Sequence, residues 1–362
     1  MDQGVSREES PNPGHEANSL CFVIDLLESD SPATNDGLTL DPEINRAFHR
    51  DGFVRIDQPI LTQKLILALQ QRLEEVLRGR YSTGVPPKRG PRILKSEYVG
   101  SPHIRPPLDL SHLSISERKA TIKPSPQAIV GPLGTQKGSK RRVLQIINTF
   151  QADTIFRSVA LDPRLGQCVA QIAGWKTGVR LGSDQVWAKP PGAGPLAWHR
   201  DGPYFMFTPR DVVTVWIALD DMDEACMGPL RYIRGSHLWQ DEDRVGAYDG
   251  FLGDTAPPTM GVNDSTSDAT EEIVSMLGLP AGALSIHHGR TWHGSSGNTS
   301  LTRPRRGFGI HYVPAHVKFT KEAAFSKLWR PYVAEAKEGD PSYVPLPEAD
   351  FPLVWRPSIA EG

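Results

Sequence analysis

Val212-Val213-Thr214-Val215-Trp216-Ile217-Ala218-Leu219 is an unbroken β-branched and aromatic run. Such a composition reads as a buried strand. Ala283-Leu284-Ser285-Ile286-His287 and Gly307-Phe308-Gly309-Ile310-His311-Tyr312-Val313 have the same texture. Upstream the pattern is helical. Asp41-Pro42-Glu43 supplies an N-cap and a first-turn proline for a helix ending near Gly52. Phe53-Val54-Arg55-Ile56 then alternates as a strand. Thr62 caps a helix with Leu65, Ile66, Leu69, Leu73, Val76 and Leu77 at helical spacing, ending near Gly79. Asp162-Pro163 opens another that stops near Gly174, and residues 320–337 read as a C-terminal helix. Helices first and many short strands after predict an α+β, mainly β chain with a sandwich or barrel at its centre.

Composition agrees. The 362 residues include 33 Gly and 32 Pro, which favours short strands and turns over a helical bundle. Forty basic residues against 42 acidic ones leave a net charge of −2, which argues against nucleic-acid binding. No apolar run approaches the length of a membrane span, and residues 1–20 lack the apolar stretch of a secretory signal. Cys21, Cys168 and Cys226 form no CxxC pair, which predicts neither a disulfide framework nor a zinc knuckle, and a reducing, cytoplasmic setting. Nothing in the sequence sets an oligomeric state or requires a partner protein.

The expected organisation is a disordered arm over 1–38, a single catalytic domain over 39–340 and a tail over 341–362. Within the domain, a helical flank spans 39–175 and the barrel core spans about 180–315. The basic, Pro/Gly-rich segment 84–144 reads either as a solvated loop or as a recruiter of an anionic substrate. The acidic, Gly/Ser/Thr-rich insert 240–272 reads as a lid-like loop.

Three pieces of sequence carry chemistry. In Ala197-Trp198-His199-Arg200-Asp201, strand geometry puts His199 and Asp201 on one side. In Gly289-Arg290-Thr291-Trp292-His293-Gly294-Ser295-Ser296-Gly297-Asn298, His293 supplies a second imidazole after a predicted strand. Two His and one carboxylate around a metal leave open positions, the pattern of non-haem Fe(II) oxygenases. A site with net charge near +1 suits an anionic chelating co-substrate and O₂. The third piece is Arg303-Pro304-Arg305-Arg306, where a guanidinium fork can hold the far carboxylate of a dicarboxylate.

Lys189-Pro190-Pro191-Gly192, His199-Arg200-Asp201, Trp216-Ile217-Ala218-Leu219, Gly228-Pro229-Leu230 through Gly235-Ser236-His237, His293-Gly294-Ser295 with Asn298, and Arg305 follow one another in order. The ordered set resembles the phytanoyl-CoA dioxygenase family of Fe(II)/2-oxoglutarate-dependent oxygenases, well over 180–315 and loosely over 40–80. The resemblance implies a double-stranded β-helix, a cupin-like jelly roll with N-terminal helices and a C-terminal helix around it. It implies Fe(II) on His199, Asp201 and His293, with 2-oxoglutarate and O₂ as co-substrates. It places Arg305, Ser295, Trp216 and Lys189 at the 2-oxoglutarate site. Spacing from Asn298 leaves Arg303, Arg305 and Arg306 open; counting back from Tyr312 selects Arg305. The activity implied is oxidation of a C–H bond in a small metabolite or natural-product intermediate, with release of succinate and CO₂. Hydroxylation leads, with desaturation or cyclisation as other outcomes. Asp201 occupies the position that a halogenase leaves small, so chlorination is not expected.

The remaining candidates are weaker. Gln185 alternates with Trp187 and Lys189 on a predicted strand, so it is a pocket candidate, as is Gln145. Tyr204, Phe205 and Phe207 either wall a substrate pocket or simply pack. His287 and His288 read as strand-end groups beside the ligands, and His237 as a loop hydrogen bond. Two rivals keep the architecture: a cupin-like Zn or Mn hydrolase or isomerase, which needs no arginine after His293, and a non-catalytic ligand-binding relative, which needs no intact triad.

Overall fold

In the computed structural model, described residues are 24, 40–87, 89–94, 143–240, 257–258, 272–326, 328–334, 336, 342 and 344–357. The arm over 1–38, residue 24 apart, lies outside them, as does nearly all of the insert 240–272.

The N-terminal helices form where their caps dictate. Helix α1 (Pro42–Asp51) starts with Asp41 Oδ1 accepting the Glu43 N–H at 2.8 Å and ends at Gly52, whose φ of +83° closes the last turn. Helix α2 (Gln63–Leu77) starts with Thr62 Oγ1 accepting from Leu65 N, and the six residues at helical spacing, Leu65, Ile66, Leu69, Leu73, Val76 and Leu77, are buried while Leu67 faces outward. Helices α3 (Thr149–Ala152), α4 (Thr154–Ala160) and α5 (Pro163–Ala173) follow, the last capped by Asp162 and ended by Gly174.

Fourteen strands are described: β1 (Phe53–Ile56), β2 (Arg89–Leu94), β3 (Val143–Ile147), β4 (Val179–Lys189), β5 (Leu196–His199), β6 (Phe207–Thr208), β7 (Val213–Ala218), β8 (Leu230–Ile233), β9 (Ile273–Ser275), β10 (Leu284–His288), β11 (His293–Ser295), β12 (Arg305–Pro314), β13 (Lys318–Phe319) and β14 (Leu353–Trp355). The large sheet runs β1-β10-β7-β12-β4-β3-β2, with β14 also on β4; the small sheet runs β5-β11-β8-β9. Pairing within both sheets is antiparallel. Phe53, Trp216 and Ala218 of the large sheet share one buried cluster with Leu230 and Tyr232 of the small sheet. The sheets therefore face each other as a double-stranded β-helix, the expected jelly roll.

Alternation sets the two faces of the large sheet. Val213, Val215 and Ile217 on β7, and Phe308, Ile310 and Tyr312 on β12, pack with Leu65, Leu69 and Leu165 of the helices. Thr214 and Trp216, with Arg305, Gly309 and His311, face the space between the sheets instead.

Four expectations need correction. The sheet takes β1 and β3 from the segment read as a helical flank, so the barrel is not confined to 180–315. The basic segment is not loop throughout, because Arg89–Leu94 forms β2 on β3; residues 95–142 lie outside the described residues. The helix expected over 320–337 is two short pieces, a 3₁₀ turn at Lys321–Phe325 and α6 (Arg330–Val333). Pro331 is the physical reason: without an N–H it fits only the first turn, so the helix restarts there. The Ser326 hydroxyl accepts from Leu328 N and Trp329 N at the break. Finally, the stretch read as a tail returns as β14. It lies so close to α5 that a Cβ on Gly166 would stand 2.8 Å from Trp355 and 2.9 Å from Val354.

Candidate active site

His199 ends β5 and His293 starts β11, and the two are direct partners across that antiparallel pair. Their ring centroids are 4.1 Å apart. Asp201 follows β5, and its Oδ1 lies 3.8 Å from His199 Nε2 and 3.8 Å from His293 Nε2. One ligand atom from each residue falls within 4.8 Å of the others, and all three residues are buried. Each histidine directs Nδ1 to a backbone carbonyl two residues earlier: His199 to Ala197 O at 2.8 Å, His293 to Thr291 O at 3.0 Å. The carbonyls can only accept, so the Nδ1 atoms carry the protons and the Nε2 lone pairs face Asp201. Burial pushes the His199 imidazole down to about 3 and His293 to about 4, so both are neutral at physiological pH.

The carboxylate is oriented just as firmly. Thr214 Oγ1 donates to Asp201 Oδ2 at 2.7 Å, and His287 Nε2 lies 3.0 Å from the same oxygen. His287 Nδ1 meets Tyr232 OH at 3.0 Å, and Tyr232 OH meets Ser285 Oγ at 2.8 Å. Proton counting gives a one-way chain in which Ser285 donates to Tyr232, Tyr232 to His287 and His287 to Asp201. Burial opposes ionisation of Asp201, yet the surrounding imidazoles of His293, His311 and His287 hold its carboxyl well below the usual range. Oδ2 is thus occupied by protein donors, and Oδ1 is the oxygen turned to the two Nε2 atoms.

Opposite the triad, a buried cationic end is built from β12 and β4. Arg305 and Lys189 are register partners, each 1 % exposed. Ser295 Oγ accepts from Lys189 Nζ at 2.7 Å and from Arg305 Nη2 at 2.9 Å, tying the two together. Arg305 Nε donates to Gly228 O, and among the described residues no carboxylate forms a salt bridge with it. Burial lowers the Arg305 guanidinium to about 10, where it remains a cation at neutral pH. Its charge lies 5.7 Å from the centre of the Trp216 ring. A Cβ on Gly307 would overlap that indole, so only glycine admits it.

Triad and guanidinium line one cavity of about 420 Å³. A family model described as Phytanoyl-CoA dioxygenase (PhyH) matches residues 48–307, most of the chain. The chain belongs to the PhyH family. A probable alpha-ketoglutarate-dependent hypophosphite dioxygenase of Stutzerimonas stutzeri is 32% identical over 137 residues, which are 38% of this chain and 46% of that protein. The match therefore spans less than half of that relative's length. Among solved structures, the non-heme alpha-ketoglutarate-dependent epimerase SnoN from nogalamycin biosynthesis superposes with a TM-score of 0.53 at 20% identity, covering 87% of this chain and 98% of that one. The carbocyclase SnoK from nogalamycin biosynthesis gives 0.54 at 21%, covering 87% and 96%. These likenesses establish the shared fold.

Lys189 and Ser295, expected at the 2-oxoglutarate site, stand behind Arg305 and do not themselves line the cavity. Gln145, Gln185, Tyr204, Phe205 and Trp216 all line the cavity with the triad. Phe207 turns away into an aromatic cluster with Phe319, Trp329 and Phe351. Arg306 pairs with Asp220, and Arg303 with Asp223 and Glu224, so Arg305 alone of the three lines the cavity. His237 binds His49 O through Nε2, and His288 Nδ1 accepts from Arg290 N.

Sequence reading missed Thr214, His311 and Gly309 on the cavity wall. The two-residue alternation from Trp216 and from Arg305 would have found them. It also missed Ser326 and Leu328, which reach the cavity from the broken C-terminal segment and carry no local signal. Among the described residues, no helix is long and apolar enough to cross a membrane.

Proposed function

We propose that this PhyH-family chain is an Fe(II)/2-oxoglutarate-dependent dioxygenase that oxidises a C–H bond of a small metabolite or natural-product intermediate, with hydroxylation as the leading outcome. One observation carries the reading: two neutral imidazoles and one carboxylate share a cavity with a buried guanidinium that forms no carboxylate salt bridge among the described residues. The donor set fits Fe(II), and the guanidinium fits the far carboxylate of a diacid. Fe(II) held there with 2-oxoglutarate and O₂ would supply the oxidising power for C–H cleavage, with succinate and CO₂ as co-products.

The protein's own part is positioning. His199, Asp201 and His293 would hold the metal, their ligand atoms lying within 4.8 Å of one another beside the cavity. Thr214 and His287 keep Asp201 Oδ1 turned to it. Arg305, tied through Ser295 to Lys189, takes the distal carboxylate, and Trp216 packs beside the guanidinium. Tyr204 and Phe205 wall the substrate side and exclude water from the reacting C–H. A Zn or Mn hydrolase would have no use for the Arg305 end, which favours the oxygenase over that rival.

The test is spectroscopic. Anaerobic protein with Fe(II) and 2-oxoglutarate should develop a weak visible charge-transfer band, absent in His199→Ala. Folded wild-type protein without the band would defeat the reading. Substrates can then be sought by screening a metabolite library for stimulated succinate release, with mass detection of the product.

A further inference from the structure

The substrate side of the cavity has a chemistry of its own, distinct from the metal and diacid ends. Gln145 on β3 and Gln185 on β4 are half-buried and reach the same cavity. Gln145 Nε2 donates to Gln185 Oε1 at 2.7 Å. Turning both amides over would preserve such a bond, so in either assignment the pair keeps one carbonyl oxygen and one amide N–H₂ unbonded. As placed these are Gln145 Oε1, an acceptor, and Gln185 Nε2, a donor, and neither forms a bond to another described residue. Partly buried amides without partners sit less comfortably than satisfied ones, and a ligand that fills both gains from the arrangement.

The surroundings narrow the ligand further. Ile147 and Trp187 are the register partners of Gln185 and Gln145, and with Phe205, Met206 and Leu328 they give the same cavity apolar walls that do not compensate a buried charge. The charged groups lining the cavity, Asp201 and Arg305, belong to the metal and diacid ends. Gly309, the register partner of Gln185, lines the cavity with bare backbone. A Cβ there would meet its nearest atoms only at 3.7 Å and 3.8 Å, so packing does not require glycine; its effect is to keep the floor beside Gln185 open.

We infer that the Gln145–Gln185 pair is the polar anchor of the substrate, and that the substrate is a neutral, largely apolar molecule bearing a group that both donates and accepts a hydrogen bond, such as a hydroxyl. The hydroxyl donates to the free carbonyl oxygen of the pair and accepts from its free amide N–H, while the carbon skeleton lies over Gly309 against Trp187 and Phe205. Among the residues whose side chains are described, no cation other than Arg305 lines the cavity to hold a small inorganic anion of the hypophosphite type. This inference rests on the oxygenase reading for which end of the cavity the substrate occupies.

Three rigid probes of one skeleton test it: 2-naphthol, 2-methoxynaphthalene and 2-naphthoate. Calorimetric titration into anaerobic protein loaded with Fe(II) and 2-oxoglutarate should show 2-naphthol binding about tenfold more tightly than the ether, the worth of about one hydrogen bond. 2-Naphthoate should bind more weakly than 2-naphthol. In Gln145→Leu/Gln185→Leu the naphthol-to-ether ratio should fall to about one. A ratio of dissociation constants cancels general loosening of the fold. Each single substitution, Gln145→Leu and Gln185→Leu, should remove part of the preference. A gain in space-filling at Gly309→Leu should weaken all three probes.

Equal affinities for naphthol and ether in wild-type protein overturn the inference. So does tight binding of naphthoate, a preference that survives the double substitution, or binding of none of the probes. Failure of the oxygenase reading is seen separately, as the missing Fe(II)/2-oxoglutarate band before any probe is added.

Discussion

Arg305→Ala tests the diacid end of the site directly. The guanidinium is buried and has a carbonyl and a hydroxyl as partners, with no carboxylate salt bridge among the described residues. A bound 2-oxoglutarate would thus rely on it for charge-assisted, two-pronged pairing. Truncating one member of a buried charge pair costs about 2–5 kcal/mol, or roughly thirtyfold to several thousandfold in affinity. The expected result is a rise of that size in the 2-oxoglutarate concentration needed for half-maximal succinate release, matched by calorimetric titration of the metal-loaded protein. Arg306→Ala and Arg303→Ala serve as comparisons, because Asp220 occupies the first and Asp223 with Glu224 the second. Neither side chain lines the cavity, so Arg303→Ala, at a part-exposed ion pair, should stay within about threefold of wild type, and Arg306→Ala should fall well short of the Arg305→Ala effect. If folded Arg305→Ala keeps the wild-type requirement, or if Arg306→Ala raises it equally, the assignment of the diacid end is wrong.

Other consequences follow from the same geometry. Thr214→Val and His287→Phe each remove a donor to Asp201 Oδ2, so Fe(II) affinity should fall about 10- to 100-fold by competition with a chelating dye. Gly307→Ala drives a methyl into the Trp216 indole; denaturant melts should show a loss of about 1–3 kcal/mol together with weakened 2-oxoglutarate binding. Asp184 is fully buried, and burial raises its carboxyl from 3.8 to about 7. Between those values the folded chain holds a proton that the unfolded chain has lost, so this group's stabilisation is full below about pH 4 and disappears as pH rises through about 7. Asp184→Asn should flatten that part of the stability profile in denaturant titrations from pH 4 to 8, and an unchanged slope would refute the assignment.

Much of the molecule was legible from local pattern. Caps at Asp41, Thr62 and Asp162 marked helix starts because they satisfy orphan N–H groups within the same few residues. The runs 212–219 and 307–313 declared strands because one face of each packs on the helices. His199 and Asp201 could be paired on paper, since strand geometry fixes neighbours two residues apart. The C-terminal segment was misread because its helical composition was weighed without Pro331, and β14 was missed because its partner β4 lies far away in the chain.

What the amino-acid order determined alone was the element types, the donor chemistry and the family signature. Each depends on residues close together in sequence or on fixed side-chain properties. Which strands became neighbours was decided only by the tertiary structure. That pairing put His293 across from His199, turned Thr214 and His287 onto Asp201, joined Lys189 to Arg305 through Ser295, and brought Gln145 against Gln185. Such contacts arise from long-range register, where a shift of one residue would turn every one of these side chains to the opposite face.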